Sequence, residues 1–288
     1  MVVGVRTLFK NLKFLSKILL SERIENTYVI EKMIEEKIIE MTNVNCFPVI
    51  KNIEETIQVI NEGASLCRFG DGEITLIKGI DIPFQVASKE LTDRLTEVLS
   101  SNYKNICIAI PKFIFSPKNG LDEWTCNFWK DNGKSFRDVV LKYISLSNIY
   151  YSAEVTVASA AYENFDKEKY FKSFRNIWQD KDVTIITGST VFDKIEYNIF
   201  DNAKSVDYVF APSVNAFESY SEILEKAKLI DKNRIIISIL GPTAKIITYD
   251  LAKLGYRALD LGHIAKFYDW YKKNKSISEN AFDFYAPD

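Results

Sequence analysis

From about residue 47 onward, the chain alternates short apolar runs rich in β-branched residues with longer stretches of helical periodicity. This alternation is typical of an α/β fold with a largely parallel, Rossmann-like sheet and helices on both faces. Several runs are apolar throughout, as strands covered on both faces are. The pattern predicts strands over 65–69, 105–111, 182–188, 206–212, 234–241 and 257–262. It predicts helices over 52–62, 88–101, 215–229, 243–254 and 264–273.

The N-terminal part of the chain has a different pattern. Its leucines recur near helical spacing with Arg and Lys at intervening positions, which predicts one or two amphipathic helices within residues 1–40. Such a helix either packs on a domain or partner subunit, as in a homo-oligomer, or makes peripheral contact with an anionic membrane surface. We therefore divide the chain into a helical extension (1–46) and a single α/β domain (47–288). We interpret the aromatic-rich segment 112–178 as an insertion or helical subdomain.

Composition excludes several classes of protein. Hydrophobic residues make up 47% and charged residues 26% of the 288 residues, as in an ordinary soluble globular protein. The 37 Lys and Arg against 39 Asp and Glu give a net charge of -2, so no overall positive field favours nucleic acid. Charges interrupt every apolar run before the roughly 20 residues of a membrane-spanning helix.

The spacing of the cysteines indicates the cellular compartment. The 4 cysteines lie far apart without a C-x-x-C pair, which is the spacing of neither a zinc site nor a small secreted disulfide framework. Buried thiols in a reducing cytoplasm are the simplest interpretation. We therefore expect a cytoplasmic protein, located at the inner face of the membrane if the N-terminal helix binds lipid.

The first candidate site follows the first long strand, because ligands of such sheets bind at the carboxyl ends of the strands. Here Asp71 and Glu73, two positions apart, project to the same side if the segment stays extended. Two converging carboxylates suit a hard divalent cation such as Mg²⁺ or Mn²⁺. The alternative is a polar turn in which Arg68 pairs with one acid and water solvates the other.

Another candidate is the run Gly241, Pro242 and Thr243 between a predicted strand and a predicted helix. Pro242 suits the first helical turn, and Thr243 is an N-cap candidate. Free N–H groups at this helix start would suit a diphosphate. The alternative is an ordinary connection between strand and helix.

Two other strand ends carry polar residues, and a further acid follows one of them. His263, the single histidine, follows Asp260, and a neutral imidazole can bind a metal or a phosphate, although a structural histidine is the alternative. Asp269 could act as a base or bind sugar hydroxyls. Ser213 and Asn215 either cap a helix or contact a base or ribose.

Motifs of several large enzyme classes are absent from the sequence. It contains no G-x-G-x-x-G after a strand, no P-loop, no G-x-S-x-G elbow and no H-E-x-x-H. Dinucleotide oxidoreductases, P-loop NTPases, α/β-hydrolases and zinc proteases are therefore disfavoured.

Several motifs in one order point to a family. They are R-F-G-D-G-E, P-S-x-N-A-F, G-P-T-A, Y-D-L-A-x-x-G-Y, D-x-G-H and Y-D-W, at residues 68–73, 212–217, 241–244, 249–256, 260–263 and 268–270. In this order they resemble the bacterial glycosyltransferases of the GT-D fold, over roughly residues 50–272. The resemblance implies metal-dependent transfer of a hexose from a nucleotide sugar, typically a UDP-hexose, to a glycan on a glycoprotein or surface polysaccharide.

The resemblance also implies roles for individual residues. Asp71 and Glu73 fall on the metal motif, His263 lies beside the metal, and Asp269 falls on an acid that is a candidate base for the acceptor hydroxyl. Mn²⁺ or Mg²⁺ would be the cofactor. The residues implied at the nucleotide are Arg68, Phe69, Gly70, Gly188, Ser213, Asn215, Gly241, Pro242, Thr243, Asp260 and His263.

The chain departs from the family pattern in two places. Residues 189–198 lack the acid, the S-R pair and the N-D pair that usually follow this strand, and residues 265–267 lack further acids. These departures bear on donor identity and on activity. The alternative functions are a non-catalytic subunit that binds a nucleotide sugar or glycan, and a Mg²⁺-dependent enzyme acting on phosphoesters.

Overall fold

The computed structural model describes residues 47–116 and 120–275. The helices predicted within residues 1–46, and with them the expected contact with a membrane or a second subunit, lie outside this part of the chain. The chain divides into two compact units, Met1–Phe47 with Phe115–Pro117 and Pro48–Ile114 with Lys118–Asp288. The sheet and the candidate site belong to the second unit.

Eight strands of the described residues form one sheet in the order β1-β4-β3-β2-β8-β7-β5-β6. Each neighbouring pair is parallel, which confirms the predicted fold class. The strands are β1 (Val49–Ile50), β2 (Ser65–Arg68), β3 (Ile106–Ile110), β4 (Ile149–Ser152), β5 (Asp182–Gly188), β6 (Ser205–Ala211), β7 (Ile235–Ile239) and β8 (Arg257–Asp260). The sequence pattern predicted six of these strands within two residues at each end but did not predict β1 or β4.

Helices lie in most of the connections between the parallel strands, with β5 and β6 joined by a loop. Within the described residues they are α1 (Ile53–Asn61), α2 (Asp71–Ile77), α3 (Lys89–Leu99), α4 (Glu123–Val140), α5 (Ala158–Ala161), α6 (Lys167–Trp178), α7 (Tyr220–Ala227), α8 (Pro242–Lys253) and α9 (Ile264–Lys272). Polar N-cap side chains begin four of them. The residues Asn52, Ser88, Asp122 and Asp166 each accept a hydrogen bond from an N–H in the first turn.

Alternate strand residues supply two apolar layers. Along β5, Val183 and Ile185 face a layer completed by α1, α6 and α9, whereas Ile186 faces a layer completed by α7 and α8. Helices therefore cover both faces of the sheet, as predicted. This double cover explains why an inner strand such as β3 is apolar throughout rather than alternating.

The segment 112–178 is more than a cover over the sheet. It contains β4, which pairs with β1 on one side and β3 on the other, together with α4, α5 and α6. Among residues 47–116 and 120–275, no helix combines the length and the apolarity that crossing a bilayer requires.

Candidate active site

A cleft of about 250 Å³ lies at the carboxyl ends of β2, β3 and β8. Two sets of side chains that line it are named here. The charged group consists of Arg68, Asp71, Glu73, Lys245, Asp260 and His263. The aromatic group consists of Phe84, Phe113, Trp124, Phe128 and Trp129. Charged groups beside aromatic surface are typical of a pocket for a polar organic ligand.

Arg68 and Asp260 end two adjacent parallel strands, β2 and β8, and bind each other. The Asp260 carboxylate accepts the backbone N–H of Arg68 at 3.3 Å, and the guanidinium donates to the Asp260 carbonyl at 3.0 Å. Gly262 makes this approach feasible, because its φ is 47° and an added Cβ would collide with the guanidinium. The turn after β8 therefore fixes Arg68 at the cleft.

The two acids of the predicted metal motif lie on a helix. Helix α2 begins at Asp71 with Gly70 as its N-cap. The expectation that Asp71 and Glu73 lie on an extended segment is therefore wrong. Glu73 is the third helical residue, and its Oε2 accepts the Gly70 N–H at 2.7 Å. This hydrogen bond is the half of a capping box in which a glutamate at the third helical position accepts the N–H of the N-cap residue. The G-x-x-E spacing in the sequence is the signature of this contact.

Lys245, which the sequence analysis did not identify, is the cation of the charged group that pairs with Glu73. Its side chain is 2% exposed, and Nζ lies 2.8 Å from Glu73 Oε1 and 3.6 Å from Asp260 Oδ2. Nζ also donates to the Gly241 carbonyl at 3.0 Å. Burial would raise the pKa of Glu73, but the ammonium of Lys245 and the Gly70 N–H outweigh burial and hold this pKa below its ordinary value.

Asp71 has the opposite electrostatic environment. Burial and the neighbouring Glu73 carboxylate raise the pKa of Asp71 from its ordinary value of 3.8 to about 6. Nearby N–H groups and His263 offset only part of this rise. Of the two acids on α2, Asp71 is therefore the one whose ionised form is less stabilised by its surroundings. An added cation would stabilise it more than it would stabilise Glu73.

The side chains of the cleft suit a metal ion that is bound partly by the protein and partly by a ligand. Among the described residues, no group of three or more His, Cys, Asp or Glu side chains could hold a metal alone. Mg²⁺ is commonly held by one or two carboxylates together with substrate phosphates. The carboxylate of Asp71 matches this pattern, and His263 lines the same cleft. A metal at this position stays a prediction.

The start of α8 differs from the predicted anion site. Gly241 is the N-cap and Pro242 the first helical residue, which makes Thr243 the second helical residue rather than the cap. The Thr243 N–H donates to the Leu240 carbonyl at 3.2 Å and the Ala244 N–H to the Gly241 carbonyl at 3.1 Å. These N–H groups are thus engaged within the chain, and of Gly241, Pro242 and Thr243 only Gly241 lines the cleft.

A loop missed in the sequence analysis also reaches the cleft. Phe84 packs on Gly241 so closely that an added Cβ there would lie 2.9 Å from its ring. Asn215, in the left-handed region at φ 51°, holds this loop by donating its N–H to the Phe84 carbonyl and accepting the Val86 N–H, both at 2.9 Å. The Asn215 side chain therefore positions a loop instead of capping a helix.

Asp269 lies away from the residues that line the cleft. It is 4% exposed, and its Oδ1 accepts the N–H groups of Glu196 and Tyr197, each at 3.0 Å. Its Oδ2 lies 2.8 Å from Lys273 Nζ. Oδ1 therefore holds the loop after β5 and Oδ2 is paired with Lys273, so the geometry gives no support to the predicted role as a base.

The predicted site residues separate into two sets. Those that line the cleft are Arg68, Gly70, Asp71, Glu73, Gly241, Asp260 and His263. Those that lie outside the described lining are Phe69, Gly188, Ser213, Asn215, Pro242, Thr243 and Asp269. Phe69 is fully buried in the core, and Gly188 packs so closely on Ser213 that a larger residue would collide with its hydroxyl.

Comparison with known proteins decides the family. The profile of the family described as "Glycosyltransferase GT-D fold" matches residues 66–280. The chain belongs to this GT-D family. The predicted resemblance is confirmed, and so is the fold that it implied.

Two curated relatives of this GT-D chain come from streptococci. Glycosyltransferase GlyD of Streptococcus pneumoniae serotype 4 is 30% identical over 248 residues, which cover 81% of this chain and 30% of the relative. The probable glycosyl transferase Gly of Streptococcus gordonii is 32% identical over 234 residues, which cover 79% and 33%. The chain thus spans about a third of the length of either relative.

Solved structures agree with the GT-D assignment. One, described as the highly conserved domain of unknown function 1792 with a distinct glycosyltransferase fold, has a TM-score of 0.76 and 30% identity, covering 85% of this chain and 87% of that chain. Another, a new glycosyltransferase from Streptococcus sanguinis, has a TM-score of 0.75 and 32% identity, covering 80% and 86%.

One further carboxylate lies in the GT-D cleft. Glu154 is 5% exposed, and its two oxygens accept the Lys112 N–H at 2.7 Å and the Ser152 hydroxyl at 2.6 Å. Burial raises its pKa despite these hydrogen bonds. The sequence offered no signal for Glu154, since it lies in the irregular segment after β4.

Proposed function

We propose that this chain transfers a hexose from a nucleotide sugar, UDP-linked, to a hydroxyl of a glycan acceptor, with Mn²⁺ or Mg²⁺ bound beside Asp71. The observation that carries the proposal is the cleft of a GT-D fold in which a charged group and an aromatic group meet at the strand ends. The acceptor class, a glycoprotein or surface polysaccharide, follows from the resemblance to the family.

The charges of the cleft support a cation that accompanies the donor. Among the described residues that line it, the carboxylates of Asp71, Glu73, Glu154 and Asp260 outnumber the cations of Arg68 and Lys245. An anionic diphosphate would meet net negative charge there unless a divalent cation entered with it. Mn²⁺ or Mg²⁺, when bound, would stabilise the charge that develops on the departing diphosphate.

The chain's own residues would bind and orient the donor. Arg68 is fixed at the cleft and is a natural partner for phosphate oxygens. Gly241 allows the Phe84 ring to pack closely beside it, and both residues line the cleft. Trp124 and Phe128 are stacked with centroids 5.8 Å apart, and such rings suit the apolar face of a sugar or the face of a base.

The first test is thermal stability with UDP, with Mn²⁺ and with both. A ligand that binds only the folded chain raises the melting temperature. We expect a UDP-dependent rise that requires Mn²⁺, disappears in Asp71→Asn and persists in Asp93→Asn, a matched change at an exposed acid paired with Lys89. Release of UDP from a UDP-hexose in the presence of acceptor would then test transfer.

Other outcomes separate the alternatives. Binding of a nucleotide sugar without turnover would indicate a non-catalytic subunit. Release of phosphate from simple phosphoesters would indicate a phosphoester-processing enzyme. A melting temperature insensitive to UDP and Mn²⁺ together would contradict the proposed function.

A further inference from the structure

We propose that the two acids of the D-x-E motif have different tasks: Asp71 binds the divalent cation, whereas Glu73 is a positioning residue reserved for Lys245 and the start of α2. This division rests on the proposed metal-dependent function. It differs from the sequence expectation, in which both carboxylates bind the same ion.

The contacts of Glu73 are the first observation. Its Oε1 lies 2.8 Å from Lys245 Nζ, and its Oε2 accepts the Gly70 N–H at 2.7 Å. Each oxygen therefore already accepts one protein donor, so a metal would have to share that oxygen with the donor. A dication on Oε1 would also lie next to a buried ammonium, which is a repulsive arrangement at short range.

The contacts of Lys245 are the second observation. A lysine ammonium has three donors, and Nζ of Lys245 faces acceptors on three elements: Glu73 on α2, the Gly241 carbonyl before α8 and Asp260 on β8. Because the side chain is 2% exposed, solvent cannot replace these partners. Lys245 thus occupies the position between Glu73 and Asp260 that a second cation would take.

Asp71 has the contrasting position. It is partly exposed at the cleft, as Glu73 is, but it is the first residue of α2, two positions before Glu73, and it shares the cleft lining with His263. A carboxylate and an imidazole that face the ligand space can complete an ion's coordination with diphosphate oxygens. The Lys245 ammonium therefore accounts for the different roles of the two acids, because it pairs with Glu73 and leaves Asp71 to bind the ion.

The test is Mn²⁺ affinity of the full chain in the presence of UDP, measured from the electron paramagnetic resonance signal of free Mn²⁺. Asp71→Asn should weaken Mn²⁺ binding by about tenfold or more, as loss of a metal ligand does. Glu73→Gln should leave the affinity near that of wild type. Lys245→Met should raise it by about tenfold or more, since it removes a like charge and frees Glu73.

A double variant controls for folding. Removing one partner of a buried ion pair is strongly destabilising, whereas removing both is better tolerated. Glu73→Gln combined with Lys245→Met should therefore remain folded by circular dichroism and bind Mn²⁺ as wild type does. It should lack the gain of Lys245→Met alone, because no freed carboxylate remains.

Two results would overturn the division of roles while leaving the proposed function intact. The first is a folded Glu73→Gln or double variant that loses Mn²⁺ affinity as severely as Asp71→Asn. The second is a folded Lys245→Met chain that binds Mn²⁺ no more tightly than wild type. Wild type that binds no Mn²⁺ in the presence of UDP would instead refute the metal-dependent function itself, and the division with it.

Discussion

Replacing Asp71 with asparagine should stabilise the protein in the absence of ligands. Burial and Glu73 raise the pKa of Asp71 from 3.8 to about 6, and each unit corresponds to about 1.4 kcal/mol of interaction against the ionised form. Above about pH 6 the folded chain therefore holds an ionised Asp71 at a cost of up to about 3 kcal/mol. Asparagine keeps the shape and an acceptor oxygen but removes the charge.

The sign of the pH dependence follows from the direction of the shift. Since the pKa of Asp71 is higher in the folded chain, the unfolded chain loses this proton first, and the contribution of Asp71 to stability falls as pH rises from about 4 to about 6. Asp71→Asn should thus exceed wild type by up to about 3 kcal/mol at about pH 7.5, and by little at about pH 4.

Urea unfolding with EDTA at both pH values measures this difference. The control is Asp93→Asn, because Asp93 is exposed in a surface pair with Lys89 and its loss should change the free energy of unfolding by less than about 1 kcal/mol. If Asp71→Asn is no more stable than wild type near neutral pH, or gains equally at both pH values, the electrostatic description of Asp71 is wrong.

Three further substitutions test individual contacts inside and outside the cleft. Gly188→Ala should lower the free energy of unfolding in urea by about 1–3 kcal/mol, because the new Cβ collides with Ser213, and adding Ser213→Ala should recover part of the loss. Asp269→Asn should lower it by about 1–3 kcal/mol, since a neutral amide replaces a buried, paired carboxylate; unchanged stability with reduced turnover would favour a base instead. Gly262→Ala should weaken UDP binding in calorimetry by displacing Arg68, and unaltered affinity would contradict that arrangement.

Much of the fold was predictable because a buried parallel strand has an unambiguous pattern. Runs such as Ile235–Ile239 consist of isoleucine at all but one position and are followed by helical periodicity. The strand Val49–Ile50 is too short to give a pattern, and Ile149–Ser152 reads I-Y-Y-S within an aromatic segment. Both were therefore missed, although they complete one edge of the sheet.

The candidate site was predictable where it depends on strand ends and unpredictable where it depends on distant partners. Arg68 and Asp260 end adjacent strands, so the general rule for α/β sheets placed them together. The contact between Lys245 and Glu73 has no local signal, because it depends on how α8 packs beside α2. Likewise, nothing in the sequence near Asn215 indicates that it holds the loop of Phe84.

The ion pairs of the charged group join distant parts of the chain, and this has a consequence for folding. Lys245 and Glu73 are 172 positions apart, and Asp260 and Arg68 are 192 positions apart. Contacts that close such long loops form late, because the chain must lose much conformational entropy before they stabilise it. We therefore expect the cleft to form only late in folding, together with the pairing of β2 and β8. A donor nucleotide added during refolding should leave the folding rate unchanged and slow only unfolding.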